Sequence, residues 1–508
     1  MKKVVDNIRK SRVEDYRPEL VIGLVGPIGC DITTVQKVLE GELRQVGYSP
    51  HQINLSDMLA GLIEAKTQKT ENINTIEEKM EAGNRVCQLF NNEAVLAAEA
   101  IRLVREARCV EHSDRGTEID DEVDPESLPA EGTAYIIRQL KRQKEVELLA
   151  RVYGRQFIQV SITQDIAARK QSLMTLVGNQ HPAFDIEQCT DHANELIKKD
   201  EDDEDHHGQK IGEIFHLADV FIEARSRKTI EDTCHRFIQA LFGRNDIAPT
   251  RDEFGAYMAK TASLRSVDLS RQVGSAILTT EADVISIGCN EVPKPNGGNY
   301  WDDDVEKHRD IDEKGEANKA ETTRIVYDFL RALSQTDSLK AGLDPAKILA
   351  DSSKRKAILD SSIGDITEYG RMVHAEMNAL TDAARLGRST HGATMHVTTF
   401  PCHNCAKHII ASGISRLVFI EPYPKSKTRQ LYSYAISNNN EKGYGMIVEH
   451  FSGISPRRYR DIFEKKKRRR SDGTIDEWYQ GKCLPRIGQQ PIEGTENEVH
   501  AMNDNLYS

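Results

Sequence analysis

The sequence predicts an α/β protein of two domains that meet near Pro249. Three observations carry this. Short runs of branched apolar residues alternate with helix-period segments from residue 19 to about Gly243. Pro249-Thr250 interrupts the alternation, and a new helical segment starts there. The chain has 508 residues, and at roughly 100–200 residues per domain that gives two to four domains.

The elements follow in order. Residues 19–25 (ELVIGLV) read as a buried strand. Gly26-Pro27-Ile28-Gly29 follows, and residues 33–39 read as a helix. Strand, glycine loop and helix open a nucleotide-binding α/β unit. Residues 84–107 are helical, because their apolar positions recur at three and four. Residues 134–137, 156–161 and 218–223 read as further strands, the first two followed by helices. Residues 111–131 read as an acidic loop. Residues 198–209 hold six acidic residues and His206-His207. These could bind a metal or form an exposed, self-repelling loop, and the loop is the plainer reading.

After Pro249 a helical segment leads to residues 273–279 and 284–288, the two strands of a hairpin. A polar insertion spans about 290–365, with one apolar helix near 325–333. A helix runs from about His374 to Leu386. Residues 394–399 form a strand, 402–412 a helix and 416–421 a strand. The basic run at 464–470 (EKKKRRR) reads as a solvated helix end or loop. No aromatic residues interleave with it as nucleic-acid stacking would require.

Lys and Arg number 68 against 80 Asp and Glu, a formal charge of −12. That argues against wrapping nucleic acid but leaves room for a local anion pocket. No apolar run is long enough to span a membrane. Residues 1–19 are charged and lack the apolar core of a signal peptide, so a cytoplasmic location is expected. The nine cysteines are scattered, and only Cys402 and Cys405 are close, which suits a reducing compartment.

His374-Ala375-Glu376 lies 28 residues before Pro401-Cys402-His403-Asn404-Cys405. One imidazole and two thiolates are the three ligands of a catalytic zinc, with a fourth position left for water. A helix N-terminus at Cys402 favours thiolate. Glu376 can share the site as a proton carrier without being a ligand. This is the H-x-E…P-C-x-x-C pattern of zinc-dependent nucleobase deaminases. A structural zinc would want a fourth ligand, for which His396 and His403 are the near candidates. A redox pair would leave His374 and Glu376 without a role.

Four blocks in order extend the likeness. Residues 263–274 (SLRSVDLSRQVG), 288–293 (GCNEVP) and 374–380 (HAEMNAL), with the cysteine pair, resemble deoxycytidylate deaminases. Residues 249–253, 423–426 and 456–459 extend this to the bacterial antiphage dCTP deaminases. That resemblance implies an N-terminal P-loop nucleoside/nucleotide kinase-like domain at 19–245. It implies a C-terminal deoxycytidylate deaminase domain at 250–465, a cytidine deaminase-like α/β/α sandwich. Residues 466–508 remain as a C-terminal extension. It also implies conversion of dCTP, and of dCMP, to deoxyuridine nucleotides, with dCTP depletion starving phage replication. Enzymes with this deaminase fold assemble as homo-oligomers, often hexamers. A nucleotide, an RNA or a phage factor would be the trigger.

By the same resemblance, Asn290 and Asn378 are candidate sugar or base partners. Arg265, Lys425 and Ser426 are candidate phosphate contacts. Leu269 and Glu291 depart from the family pattern, where proline and glycine stand. Gly26 to Thr34 aligns with a phosphate loop, making Gly26, Gly29, Thr33 and Thr34 candidate nucleotide contacts, with Mg²⁺ on Thr33. Asp31 and Ile32 replace the expected glycine and lysine, and Ile32 cannot reach a phosphate. This domain is therefore expected to regulate and not to transfer phosphoryl groups. The competing readings are a housekeeping dCMP deaminase, a polynucleotide cytidine deaminase and a non-enzymatic signalling protein with a structural zinc.

Overall fold

A computed structural model describes residues 16–117, 124–201, 211–336, 338–340, 343–365, 368–437, 445–465, 467–475, 484–487 and 494–506. Most of the acidic block, including His206-His207, lies outside the described residues, as does Cys483. The chain divides into two compact units. The first comprises residues 1–253 and 450–508, and the second residues 254–449.

The first unit holds a six-stranded sheet in the order β12-β5-β4-β1-β3-β2. Strand β1 is Leu20–Val25, β2 Ser49–Asn54, β3 Thr133–Arg138, β4 Phe157–Thr163 and β5 Val220–Glu223. These five pair in parallel. All six residues of β1 are buried, as a central parallel strand covered on both faces requires. Helices Ile32–Gln45 and Arg227–Leu241 pack on the sheet through Val35, Leu39, Ile230 and Phe237. Strand β2 (SPHQIN) was not expected from the sequence, because it is polar. It is an edge strand, where Pro50 costs no ladder bond on its open side. The helix expected over 84–107 is two helices, Ile76–Leu89 and Val95–Asp114. Asn91 breaks it in the left-handed region, at φ 47°.

Strand β12 (Gly453–Ile454) returns to pair antiparallel with β5. Arg458 holds it there, donating to Asp219 at 2.9 Å and to the Phe157 carbonyl at 2.8 Å. The sequence places 250–465 in the second domain and sets 466–508 apart. In the structure the chain from His450 onward folds with the first unit instead. The cause is long-range: helix Gly494–Leu506 brings Glu498 to Arg108, and both are buried. Arg108 donates to Glu498 at 2.6 and 2.7 Å and to Glu19 at 2.7 to 3.2 Å. The start of the basic run is structural too. Lys465 donates to the carbonyls of Arg244 and Asn245, and Arg468 to that of Asn245.

The second unit holds the sheet β10-β11-β9-β8-β6-β7. Its hairpin is β6 (Gly274–Leu278) and β7 (Val284–Cys289). Strand β8 (Thr394–Thr399) runs antiparallel to β6, and β9 (Arg416–Glu421) parallel to β8. Strands β10 (Ile436–Ser437) and β11 (Met446–His450) complete it. Helices Ala375–Arg385 and His403–Ala411 contribute Ala379, Leu380, Cys405 and Ile409 to the core with Met395, Val397 and Leu417. The 290–365 region carries helices Ala317–Gln335, Pro345–Ala350 and Ser352–Leu359, packed around Val326, Leu330 and Ile348. Among the described residues, no helix is long and apolar enough to cross a membrane.

The Arg108 site predicts how the first unit fails. Glu498→Ala leaves a buried guanidinium half-compensated, which costs about 3–5 kcal/mol. Urea unfolding followed by circular dichroism should show an earlier transition for that unit. An unchanged midpoint would mean that Glu498 does not hold the C-terminal helix in place.

Candidate functional site

The site in the second unit is built on two helix N-termini. His374 is the N-cap of Ala375–Arg385, and Cys402 that of His403–Ala411. Cys402 Sγ accepts from the Cys405 N–H at 3.5 Å, the ordinary capping bond with sulfur in place of oxygen. His374 Nδ1 lies 3.5 Å from Cys402 Sγ and 3.4 Å from Cys405 Sγ. All three ligand atoms lie within 4.8 Å of one another. Neither His396 nor His403 joins this group among the described residues.

The electrostatics suit a cation. The Cys402 thiol is held down at about 3, first by a hydrogen bond from Cys405 and also by His374. Cys405 is pushed up by the same sulfur pair and by burial. A coupled thiol pair beside an imidazole is an arrangement whose protons a divalent metal displaces on binding. The His374 imidazole is raised, chiefly by its bond to Cys402. One nitrogen and two sulfurs fit zinc, and three ligands leave a position open.

Glu376 is 4% exposed. Burial raises its carboxyl above the usual range, and the Cys402 charge adds to this. A carboxylate near the sulfurs that takes up protons readily has the property of a general acid–base. Gly288 allows the close approach behind it. A Cβ there would sit 2.3 Å from the Ala375 carbonyl and 2.4 Å from the Ala379 nitrogen.

The other sequence candidates divide. Asn378 pairs amide to amide with Asn299, at 2.6 and 3.3 Å, and both are buried. Sequence reading missed Asn299, since nothing local marks it. The Asn290 side chain is engaged as a brace: it accepts from the Val273 N–H at 2.7 Å and donates to the Arg271 carbonyl at 2.8 Å. Ser426 likewise donates to the Pro401 carbonyl at 2.7 Å and shares Thr428 Oγ1 at 2.9 Å. It supports the loop that carries the cysteines. The Arg265 guanidinium lies 3.8 Å over the centre of the Trp301 ring. Stacking of that kind leaves the in-plane N–H groups for an anion. Lys425 is exposed.

In the first unit, Gly29 has φ +85°, and a Cβ would lie 2.7 Å from the Arg169 carbonyl. The loop is already filled with charge. The Ile28 N–H donates to the Asp200 carboxylate at 2.7 Å, and Lys141 reaches Asp200 at 2.6 Å and the Gly26 carbonyl at 2.9 Å. Asp200 is fully buried. A carboxylate thus sits among the donors that would cradle a phosphate. Thr33 accepts from Arg138 at 2.9 Å, so a cation already faces the hydroxyl expected to hold Mg²⁺. Thr34 donates its N–H to Asp31, which caps the helix. Ile32 is buried in the core. A cavity of about 320 Å³ adjoins this loop, lined by Lys79, Arg138, Lys141 and Arg142 as well as apolar side chains. Asp200, read from the sequence as part of an exposed acidic loop, is instead buried, and local pattern does not show its contact with Ile28, 172 residues away, or that of Lys141 with Gly26, 115 residues away.

Asp200→Ala should strengthen anion binding at this loop. Calorimetry with inorganic pyrophosphate is expected to give an affinity about tenfold higher than wild type, or about 1.4 kcal/mol. Equal affinities would mean that the carboxylate does not compete for these donors.

The family model for the "cytidine and deoxycytidylate deaminase zinc-binding region" matches residues 249–421. A deoxycytidylate deaminase of Enterobacteria phage T2 is 56% identical over 55 residues, 11% of this chain and 29% of that protein. The Mus musculus deoxycytidylate deaminase is 26% identical over 168 residues, 33% of this chain and 63% of that protein. The chain therefore spans less than a third of the phage relative and under two thirds of the mouse one. The crystal structure of a dCMP deaminase from cyanophage S-TIM5 is 16% identical. It covers 40% of this chain and all of that one, with a TM-score of 0.22.

Proposed function

We propose that the protein is a zinc-dependent hydrolase that deaminates deoxycytidine nucleotides, dCTP and also dCMP, to their deoxyuridine forms. The observation that carries this reading is the grouping of His374, Cys402 and Cys405 with buried Glu376 beside them. The family match over residues 249–421 and the phage and mouse relatives support it.

His374, Cys402 and Cys405 would hold a zinc ion, which would supply a water of lowered pKa as the nucleophile. Glu376 takes a proton from the attacking water and delivers it to cytosine N3. It then carries a proton to the amine leaving C4, so that water is consumed and ammonia released. Its raised proton affinity suits both steps. Asn378, two residues after Glu376, is held by buried Asn299, and Asn290 braces the segment at Arg271 and Val273. Arg265 on Trp301, together with Lys425, is the proposed contact for the nucleotide phosphates.

The first unit is proposed to be a P-loop nucleoside/nucleotide kinase-like regulator that transfers no phosphoryl group. Its loop donates the Ile28 N–H to the carboxylate of distant Asp200 where a phosphate would bind, and Ile32 is in the core. The proposed role is depletion of dCTP in defence against phage, in the cytoplasm and as a homo-oligomer. It rests on the resemblance of the whole chain to that group. A polynucleotide substrate is disfavoured, since Lys465 and Arg468 of the basic run are engaged with carbonyls.

Ammonia release from dCTP, dCMP, cytidine and a cytosine-containing oligonucleotide tests the substrate. Turnover of dCTP and dCMP is expected, and product from the oligonucleotide alone would overturn the reading. Glu376→Ala is expected to keep its zinc and lose about 10³-fold or more in kcat. Full activity of that zinc-loaded variant would remove Glu376 from the mechanism.

A further inference from the structure

A second group of ligand side chains lies in the first unit, remote in sequence from the cysteine site. Glu77 stands in the first turn of helix Ile76–Leu89, His181 directly after helix Ile166–Gln180, and His192 within helix Ile186–Glu201. One ligand atom from each lies within 4.8 Å of the others. In a tetrahedral site with bonds of about 2.0–2.1 Å, neighbouring donors are about 3.3 Å apart.

Two independent observations give this group an unmet need for a ligand. Glu77 Oε2 and His181 Nε2 are each buried and have no hydrogen-bond partner. Such atoms are costly when left unsatisfied, and one cation between them satisfies both. Glu77 is also not needed as a helix cap. Glu78 fills that role, accepting from the backbone of Asn74 at 2.7 Å and Thr75 at 2.8 Å in a capping box with Thr75.

The rings are held in place for ligation. Phe184 stacks on His181 with centroids 4.7 Å apart and planes 15° from parallel, and it meets His192 edge-on at 5.9 Å. His192 turns Nε2 to Glu77, while its Nδ1 lies 3.9 Å from Glu195. His181 follows the carbonyl end of its helix, where the dipole favours a cation.

We propose that Glu77, His181 and His192 bind a divalent transition metal, with zinc the best match. Two imidazoles and one carboxylate suit zinc and are poor for Ca²⁺ or Mg²⁺, which prefer all-oxygen sites. Two of the ligands lie in helices Ile76–Leu89 and Ile186–Glu201, and His181 caps the end of helix Ile166–Gln180. Those same helices line the cavity beside the glycine loop through Lys79 and Met80, Leu173 and Leu176, and Asp200. Metal at this site clamps that wall of the cavity, so metal supply is coupled to the geometry around Asp200.

The test uses the full chain, stripped with chelator, reloaded with Zn²⁺, desalted and analysed for metal by mass spectrometry. Wild type is expected to hold about two zinc ions per chain. His181→Ala and His192→Ala should each hold about one and keep deaminase turnover. Cys405→Ser should also hold about one but lose turnover, which separates failure of this site from failure of the deaminase reading. Wild type holding about one, or a histidine variant holding as much as wild type, would overturn the proposal. The latter result would leave Glu77 and His192 an ordinary ion pair. If a histidine variant does not fold, the wild-type count decides alone.

Discussion

The candidate site of the second unit depends on one constraint: the side chains grouped there sit at helix starts that follow strands or short loops. An N-cap residue has extended backbone and a side chain that turns back over the first free N–H groups. At Cys402 that residue is a cysteine, whose thiol is lowered first by the Cys405 side chain, then by His374 and by the capping N–H. His374 takes the same position on the neighbouring helix. Glu376 then lies in the first turn and is buried by the packing that joins the two helices. Capping, burial and proton affinity are consequences of a single backbone arrangement.

The first unit solves a different electrostatic problem. A glycine loop at the end of a parallel strand collects N–H donors and attracts an anion. Here the anion is internal, Asp200, with Lys141 as its counter-charge. The substitutions at Asp31 and Ile32 are consistent with that solution. Asp31 caps the following helix, and Ile32 packs into the core. Loop and carboxylate satisfy each other without a bound nucleotide.

Much of this was legible in the sequence where local pattern decides structure. Strands β8 and β9 lie at the expected residues, because branched, buried runs bounded by turns have few alternatives. The spacing of His374, Cys402 and Cys405 likewise anticipates their grouping. The polar edge strand β2 was not legible, since its ladder bonds and not its side chains hold it. Contacts between distant segments were equally hidden. Asp200 on the Ile28 N–H, Asn299 on Asn378 and Glu498 on Arg108 join residues 79 to 390 positions apart. The roles expected of Asn290 and Ser426 met competition from the backbone, which supplies partners for both side chains.

The return of the chain to its first unit has a consequence for biosynthesis. A ribosome releases residues 254–449 before it has made β12 or the helix that carries Glu498. Until then the nascent first unit has an open edge at β5 and an Arg108 that lacks one of its two carboxylates. Open strand edges and uncompensated buried charge invite aggregation and chaperone capture. The second unit, continuous in sequence, is under no such delay. The order of maturation is therefore the reverse of the order of synthesis: the part translated first is the last to be completed.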